Sequence, residues 1–132
     1  QNTELYNWNK DKDTTFFLSG KYYYNDFNNF LVNESYNPRK ELVYKSEYEY
    51  DADQNLIRIY RTTAGNKELI RKDKYQNNLL IESEVNYEKQ NTPITKLTLY
   101  QYDAEGNVIG TQIFENGVPV ERLSYQILKF GS

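Results

Sequence analysis

Three groups of residues in this chain have types and spacings on which chemistry could be built. The first is acidic: Asp51-x-Asp53-x-Asn55 opens like a calcium loop, and Asp103-x-Glu105-Gly106-Asn107 is a looser copy. A complete EF-hand loop needs glycine at its sixth position and a bidentate glutamate at its twelfth. Those positions hold Leu56 and Thr62 in the first copy, and Val108 and Phe114 in the second. Turn chemistry accounts for these residues better than metal binding does, and no metal or cofactor is expected. The second group is the carboxylate pairs Glu47 and Glu49, and Glu82 and Glu84. Residues two apart on a strand share a face at about 7 Å, a separation open to glycoside-hydrolysing carboxylates. Lysines stand beside both pairs, so a solvated strand face is the simpler reading, and the chain is expected not to be an enzyme. The third group is aromatic. Trp8, Tyr22, Tyr23 and Tyr24 could form a platform for sugar rings, because flat π-faces stack on the apolar patches of sugars; the competing reading is cross-strand packing.

Composition removes most other chemistry. The chain of 132 residues has no cysteine and no histidine, which excludes thiol nucleophiles, histidine-based triads, disulfides and the usual zinc sites. Its 16 basic and 19 acidic residues are nearly balanced and scattered, so no nucleic-acid partner is expected. No apolar run is long enough for a membrane-spanning helix. An outer-membrane barrel is also disfavoured, because Lys45, Glu47, Arg71 and Asp73 interrupt what would be the lipid-facing bands. Methionine is absent, even at position 1, and removal of a signal peptide would account for that start.

The elements that must position these groups are strands. Tyr48-Glu49-Tyr50-Asp51-Ala52-Asp53-Gln54-Asn55-Leu56-Ile57 recurs as Tyr100-Gln101-Tyr102-Asp103-Ala104-Glu105-Gly106-Asn107-Val108-Ile109. A third copy, Tyr22 to Leu31, keeps the tyrosines, the turn asparagine and the following apolar pair in step. Shortened versions stand at Tyr75 to Leu80 and Phe114 to Val118, and further turns at Asn37 to Lys40, Ala64 to Asn66 and Lys89 to Pro93. Turn signals at this spacing specify consecutive antiparallel strands. Nine are predicted, near 16–24, 30–36, 41–50, 56–63, 67–75, 79–87, 94–102, 108–114 and 118–129, with helix minor or absent. A loop over Ala52 to Asn55 would set Asp51 opposite Leu56, Tyr50 opposite Ile57, Tyr48 opposite Ile59 and Glu49 opposite Arg58. The strand near 67–75 carries charge on both faces, with Glu68, Lys72 and Lys74 on one and Lys67, Arg71 and Asp73 on the other. Such a strand suits a sheet wetted on both sides.

The pattern Tyr-x-Tyr-Asp-x-x-Gly-Asn-Val-Ile at Tyr100 to Ile109, with Gln54 replacing the glycine at Tyr48 to Ile57, resembles the YD repeat of RHS-type surface and toxin-shell proteins. It is also similar to small exported proteins of unknown function from gut Bacteroidetes. The resemblance implies a β-hairpin array and an extracytoplasmic setting in the periplasm or at the cell surface; it implies no particular activity. The expected architecture is all-β: an antiparallel up-and-down meander of about nine strands, an open curled sheet rather than a closed barrel. A polar N-terminal segment over residues 1–15 would precede a single domain over 16–130. The expected function is that of an exported, non-catalytic binding or structural module contacting a cell-surface polysaccharide or protein. The alternative is a lipocalin-like carrier that closes its strands around one small ligand.

Overall fold

The computed structural model describes residues 3–10 and 16–125. Among them there is no helix, and ten strands follow in chain order: β1 (Thr3–Lys10), β2 (Phe16–Tyr24), β3 (Phe30–Tyr36), β4 (Leu42–Tyr50), β5 (Leu56–Thr63), β6 (Asn66–Gln76), β7 (Leu79–Lys89), β8 (Thr92–Tyr102), β9 (Val108–Glu115) and β10 (Val118–Ser124). Sheet order equals sequence order from β1 to β10, and the sheet is open. The open sheet, rather than the closed barrel, is the architecture present. Strands β2 to β10 answer to the nine expected; the part of the last one beyond residue 125 lies outside the described residues. Strand β1 is an addition. It comes from the segment read as a polar leader, whose asparagines give no strand signal, and it pairs antiparallel along β2 from Thr3 opposite Tyr24 to Lys10 opposite Phe16.

The chain packs as two compact units, residues 1–70 and 71–132, with the division falling inside β6. In neither is a described hydrophobic residue buried; the most enclosed side chains are Ser46, Asp73 and Ser83. Apolar atoms are covered by cross-strand neighbours on the same face, so each strand must hold its register closely.

Two kinds of turn set that register. Four loops share one build: Asn25 to Asn29, Asn37 to Glu41, Asp51 to Asn55 and Asp103 to Asn107. In each, the first residue donates its N–H to the carbonyl of the fifth and accepts from the N–H of the fourth. Its side-chain oxygen also accepts from the backbone N–H groups of the third and fifth residues. The fourth residue must then be left-handed, and Asn28, Lys40, Gln54 and Gly106 have φ of 63°, 66°, 65° and 85°. The other four turns among the described residues are two-residue loops with both φ positive, at Ala64-Gly65, Asn77-Asn78, Gln90-Asn91 and Asn116-Gly117, the geometry that matches the twist of paired strands.

A β-bulge follows each of the four five-residue loops. Tyr50 pairs with Leu56, and Glu49 with Arg58, so Ile57 is the extra residue. Leu31, Val43 and Ile109 hold the same place in the other copies. This corrects the expected pairing of Tyr50 with Ile57: the loop closes at Asp51 and Asn55, one residue earlier than supposed, and the bulge restores the register further in. Glu49 opposite Arg58 and Tyr48 opposite Ile59 are as expected. Asn37 to Glu41, read as a different kind of turn, is a full member of the bulged set. Asn116-Gly117, read as a shortened member, is not. It lies against Pro93 and Thr95, at the opposite end of its unit from Asp103 to Asn107.

Candidate functional site

Alternation along β2 divides the aromatic group. In the unit of residues 1–70, Tyr22 is registered with Asn33, Ser46 and Arg61 across β2 to β5, and Gly20 with Ser35, Tyr44 and Thr63. Tyr24 is opposite Phe30, and Tyr48 is opposite Ile59. These residues make one face. The other face carries the rows Tyr6, Lys21, Glu34, Lys45 and Thr62, and Tyr23, Val32, Glu47 and Tyr60. Trp8 follows Tyr6 on the same side of β1. The expected platform of Trp8, Tyr22, Tyr23 and Tyr24 is thus split, because successive strand residues point to opposite faces: Tyr22 and Tyr24 lie on one side, Trp8 and Tyr23 on the other.

Each half gains partners that sequence reasoning missed. On the first face Phe30 is a hub. Its ring centroid lies 4.8 Å from that of Tyr24 at 31°, 5.9 Å from Tyr48 at 33° and 6.1 Å from Tyr22 at 51°, within the range of favourable tilted aromatic contacts. Phe30 remains 40% exposed between the half-buried Tyr24 and Tyr48, so the three rings form a strip crossing β2, β3 and β4 that is open at its centre. Ser46, two residues before Tyr48 on the same face, is enclosed. Farther along, the Arg61 guanidinium sits 5.2 Å from the Tyr44 centroid. Tyr22 has a second duty: its Oη and Cε2 lie 3.3 Å and 3.4 Å from where a Cβ on Gly20 would stand, so the ring covers the bare glycine backbone. Burial raises the Tyr50 pKa, with a smaller contribution from Tyr48. The signal for Phe30 and Tyr48 was present in the sequence, since both belong to the repeated Tyr-turn-apolar pattern.

The second face mixes aromatic rings with charge. Lys21 Nζ lies 5.8 Å from the ring centroids of both Tyr6 and Tyr36, and Lys67 Nζ lies 4.6 Å from that of Tyr60 and 3.7 Å from a Glu47 oxygen. Burial, followed by the charge of Glu34, raises the Tyr36 pKa. Trp8 is 63% exposed.

The acidic candidates are engaged in the fold. Asp51 Oδ1 accepts from the N–H groups of Asp53 and Asn55, and Oδ2 from the Asn55 amide. Asp103 does the same with Glu105 and Asn107. The Asn55 backbone N–H is the largest cause of the lowered Asp51 pKa. Among the described residues, no three acidic side chains gather as metal ligands. Glu49 pairs with Arg58 at 3.0 Å and Glu82 with Lys74 at 3.2 Å. Glu84 borders an open apolar depression with Leu97, Leu99 and Phe114.

The unit of residues 71–132 corrects one further expectation. Asp73, read as part of a charged strand wet on both sides, is 4% exposed. Arg71 Nε lies 3.1 Å and 3.0 Å from its two oxygens, and Arg71 Nη2 lies 3.0 Å from Oδ2. The residues are two apart on β6, so the guanidinium folds over the carboxylate. That hydrogen bonding raises the Arg71 pKa above its already high ordinary value. Tyr102 donates its hydroxyl to the Leu80 carbonyl, tying two adjacent turns.

No protein-family model and no curated protein matches this chain. Among the described residues, no helix is long and apolar enough to cross a membrane.

Proposed function

We propose that this chain is an exported, non-catalytic binding module whose contact surface is the tyrosine face of β2 to β4 and whose ligand is a cell-surface polysaccharide. The observation that carries the reading is the row Tyr24, Phe30, Tyr48, exposed at Phe30 and half-buried at the two tyrosines, with centroid spacings of 4.8 Å and 5.9 Å. A row of rings on extended backbone offers an extended glycan a series of flat apolar patches, and the tyrosine hydroxyls supply hydrogen bonds to sugar hydroxyls. An open sheet suits a chain-like ligand better than a small enclosed one. The engagement of Asp51, Asp103, Glu49 and Glu82 in turns and ion pairs supports a binding role over hydrolysis. The likeness of the hairpins to YD-type arrays supports an extracytoplasmic setting.

A glycan array probed with the chain and with its Phe30→Ala and Tyr48→Ala variants tests the reading. Each substitution is expected to weaken glycan binding about fivefold, in line with about 1 kcal/mol for an aromatic contact, while the far-ultraviolet circular dichroism is retained. Binding unaffected by both changes would remove this face from the proposal. Turnover of a glycan that is lost on Glu47→Gln or Glu84→Gln would overturn the non-catalytic reading.

A further inference from the structure

Exposed apolar side chains are concentrated on the two strands that end the sheet order. Tyr6 and Trp8 lie on β1; Val118, Val120 and Leu123 lie on β10, and Tyr125 directly follows it. Edge strands of natural sheets are commonly blunted against pairing, and β10 is blunted over its first half only. Pro119 has no N–H, and the register shift between Pro119 and Glu121 makes Val120 the extra residue. From Glu121 to Tyr125 neither device is present.

The direction of the free backbone groups follows from one bond. The Tyr125 N–H donates to the Ile109 carbonyl at 2.8 Å, so Tyr125, and Leu123 two residues before it, direct their backbone groups at β9. Arg122 and Ser124 then direct theirs outward. A two-fold pairing of β10 with itself must be centred on one residue. Centring on Glu121 or Arg122 would put like charges face to face, which disfavours pairing. Centring on Leu123 sets Leu123 against its own copy, Arg122 opposite Ser124 and Glu121 opposite Tyr125. The outward backbone groups of Arg122 and Ser124 then meet as hydrogen-bonded pairs, and no like charges are opposed.

We infer that β10 is a self-association edge, pairing antiparallel with β10 of a second copy about a two-fold axis through Leu123. The occupant is a second copy because the strand is complementary to itself in register, hydrogen bonding and charge, and two-fold pairs are the commonest oligomers. The short paired length makes the dimer concentration-dependent. It uses no residue of the tyrosine face of β2 to β4, so it stands or falls separately from glycan binding.

The test is sedimentation velocity on the full chain over a wide concentration range, joined to a cross-linking experiment. The expected result is a monomer that converts to a dimer and to nothing larger. Leu123→Lys, which opposes two lysines on the axis, should weaken the dimer at least about tenfold, and so should Ser124→Pro, which deletes an N–H that β9 does not use. Trp8→Lys should leave the dimer unchanged. Because the chain has no cysteine, Leu123→Cys gives a single thiol. A non-hydrogen-bonded antiparallel pair holds its Cα atoms about 4.5 Å apart, within disulfide reach, so this variant should oxidise to a covalent dimer while Val118→Cys does not. A chain that stays monomeric at every concentration and fails to cross-link at Leu123→Cys overturns the inference. So does growth beyond two copies, or sensitivity to Trp8→Lys, either of which would mean that β1 of one copy joins β10 of the next.

Discussion

The four bulged loops make a backbone experiment in which side-chain contacts can be held almost constant. Their fourth position is left-handed in every copy but is filled by Asn28, Lys40, Gln54 or Gly106. For an L-residue this conformation costs about 1–2 kcal/mol, whereas glycine adopts it freely but loses about 0.5–1 kcal/mol more on folding through its greater unfolded-state freedom. The difference predicts that Lys40→Gly stabilises the protein by about 0.5–1 kcal/mol. Gly106→Ala should cost a similar amount, and its cost is purely conformational, because a Cβ there would meet nothing within 4 Å. Gln54→Gly gains the same backbone relief but loses Oε1, which accepts from the Asn25 amide at 2.8 Å and the Asn29 amide at 3.2 Å in the adjacent loop. Each such hydrogen bond is worth about 1 kcal/mol, so Gln54→Gly should be net destabilising by about 1 kcal/mol. Urea unfolding of the three variants reads these differences directly, and the thermal midpoint should rise by about 2–4 °C for Lys40→Gly. A neutral Lys40→Gly together with a neutral Gly106→Ala would refute the conformational argument. A Gln54→Gly variant as stable as Lys40→Gly would show that the bridge between neighbouring loops contributes nothing.

Two further outcomes follow from the charged groups. The Asp51 pKa lies below its ordinary value of 3.8 through the Asn55 N–H, so the carboxylate's contribution is complete above the ordinary carboxylate range and is lost as pH falls through the lowered value. The protection factor of the Asn55 amide should therefore fall in acid, while Asn29, held by the uncharged Asn25 amide, keeps its own; an equal fall at both would refute the assignment. At the buried pair, Arg71→Met leaves the Asp73 carboxylate enclosed without its partner and should cost about 2–3 kcal/mol, reduced from the fully buried case because the guanidinium reaches water. Asp73→Ala should cost less, since solvent can accept Arg71. Chemical denaturation of the two variants would contradict this if the order were reversed.

What could be read ahead of the structure was local. Tyr-Asp turns followed by aliphatic pairs located the strands to within a few residues, because a turn residue such as Asp51 acts through its own neighbours four positions on. Register was legible where two charges had to meet, as at Glu49 and Arg58. It failed next to the loop, where the closing pair of Asp51 and Asn55 displaces one residue into a bulge. Strand β1 was illegible because its asparagines gain strand structure only from the free edge of β2. Asp73 was misread because its enclosure comes from a guanidinium folding back along the same strand. The aromatic site was half visible: the tyrosines announced themselves, but Phe30 becomes their hub only once β3 is laid between β2 and β4.

The positions 25, 51, 77 and 103 that open turns along this chain advance by a constant 26 residues, and each strand bonds only to its neighbours in sequence. Such an array has the arithmetic of a one-dimensional lattice, in which total stability is close to a sum over adjacent links. With no apolar side chain buried among the described residues, excising or duplicating one 26-residue period in frame would change the length of the sheet while leaving the remaining links as they were. Genetic drift in repeat number is then tolerated by the same chain-order pairing, and length itself becomes a variable that selection can tune one hairpin at a time.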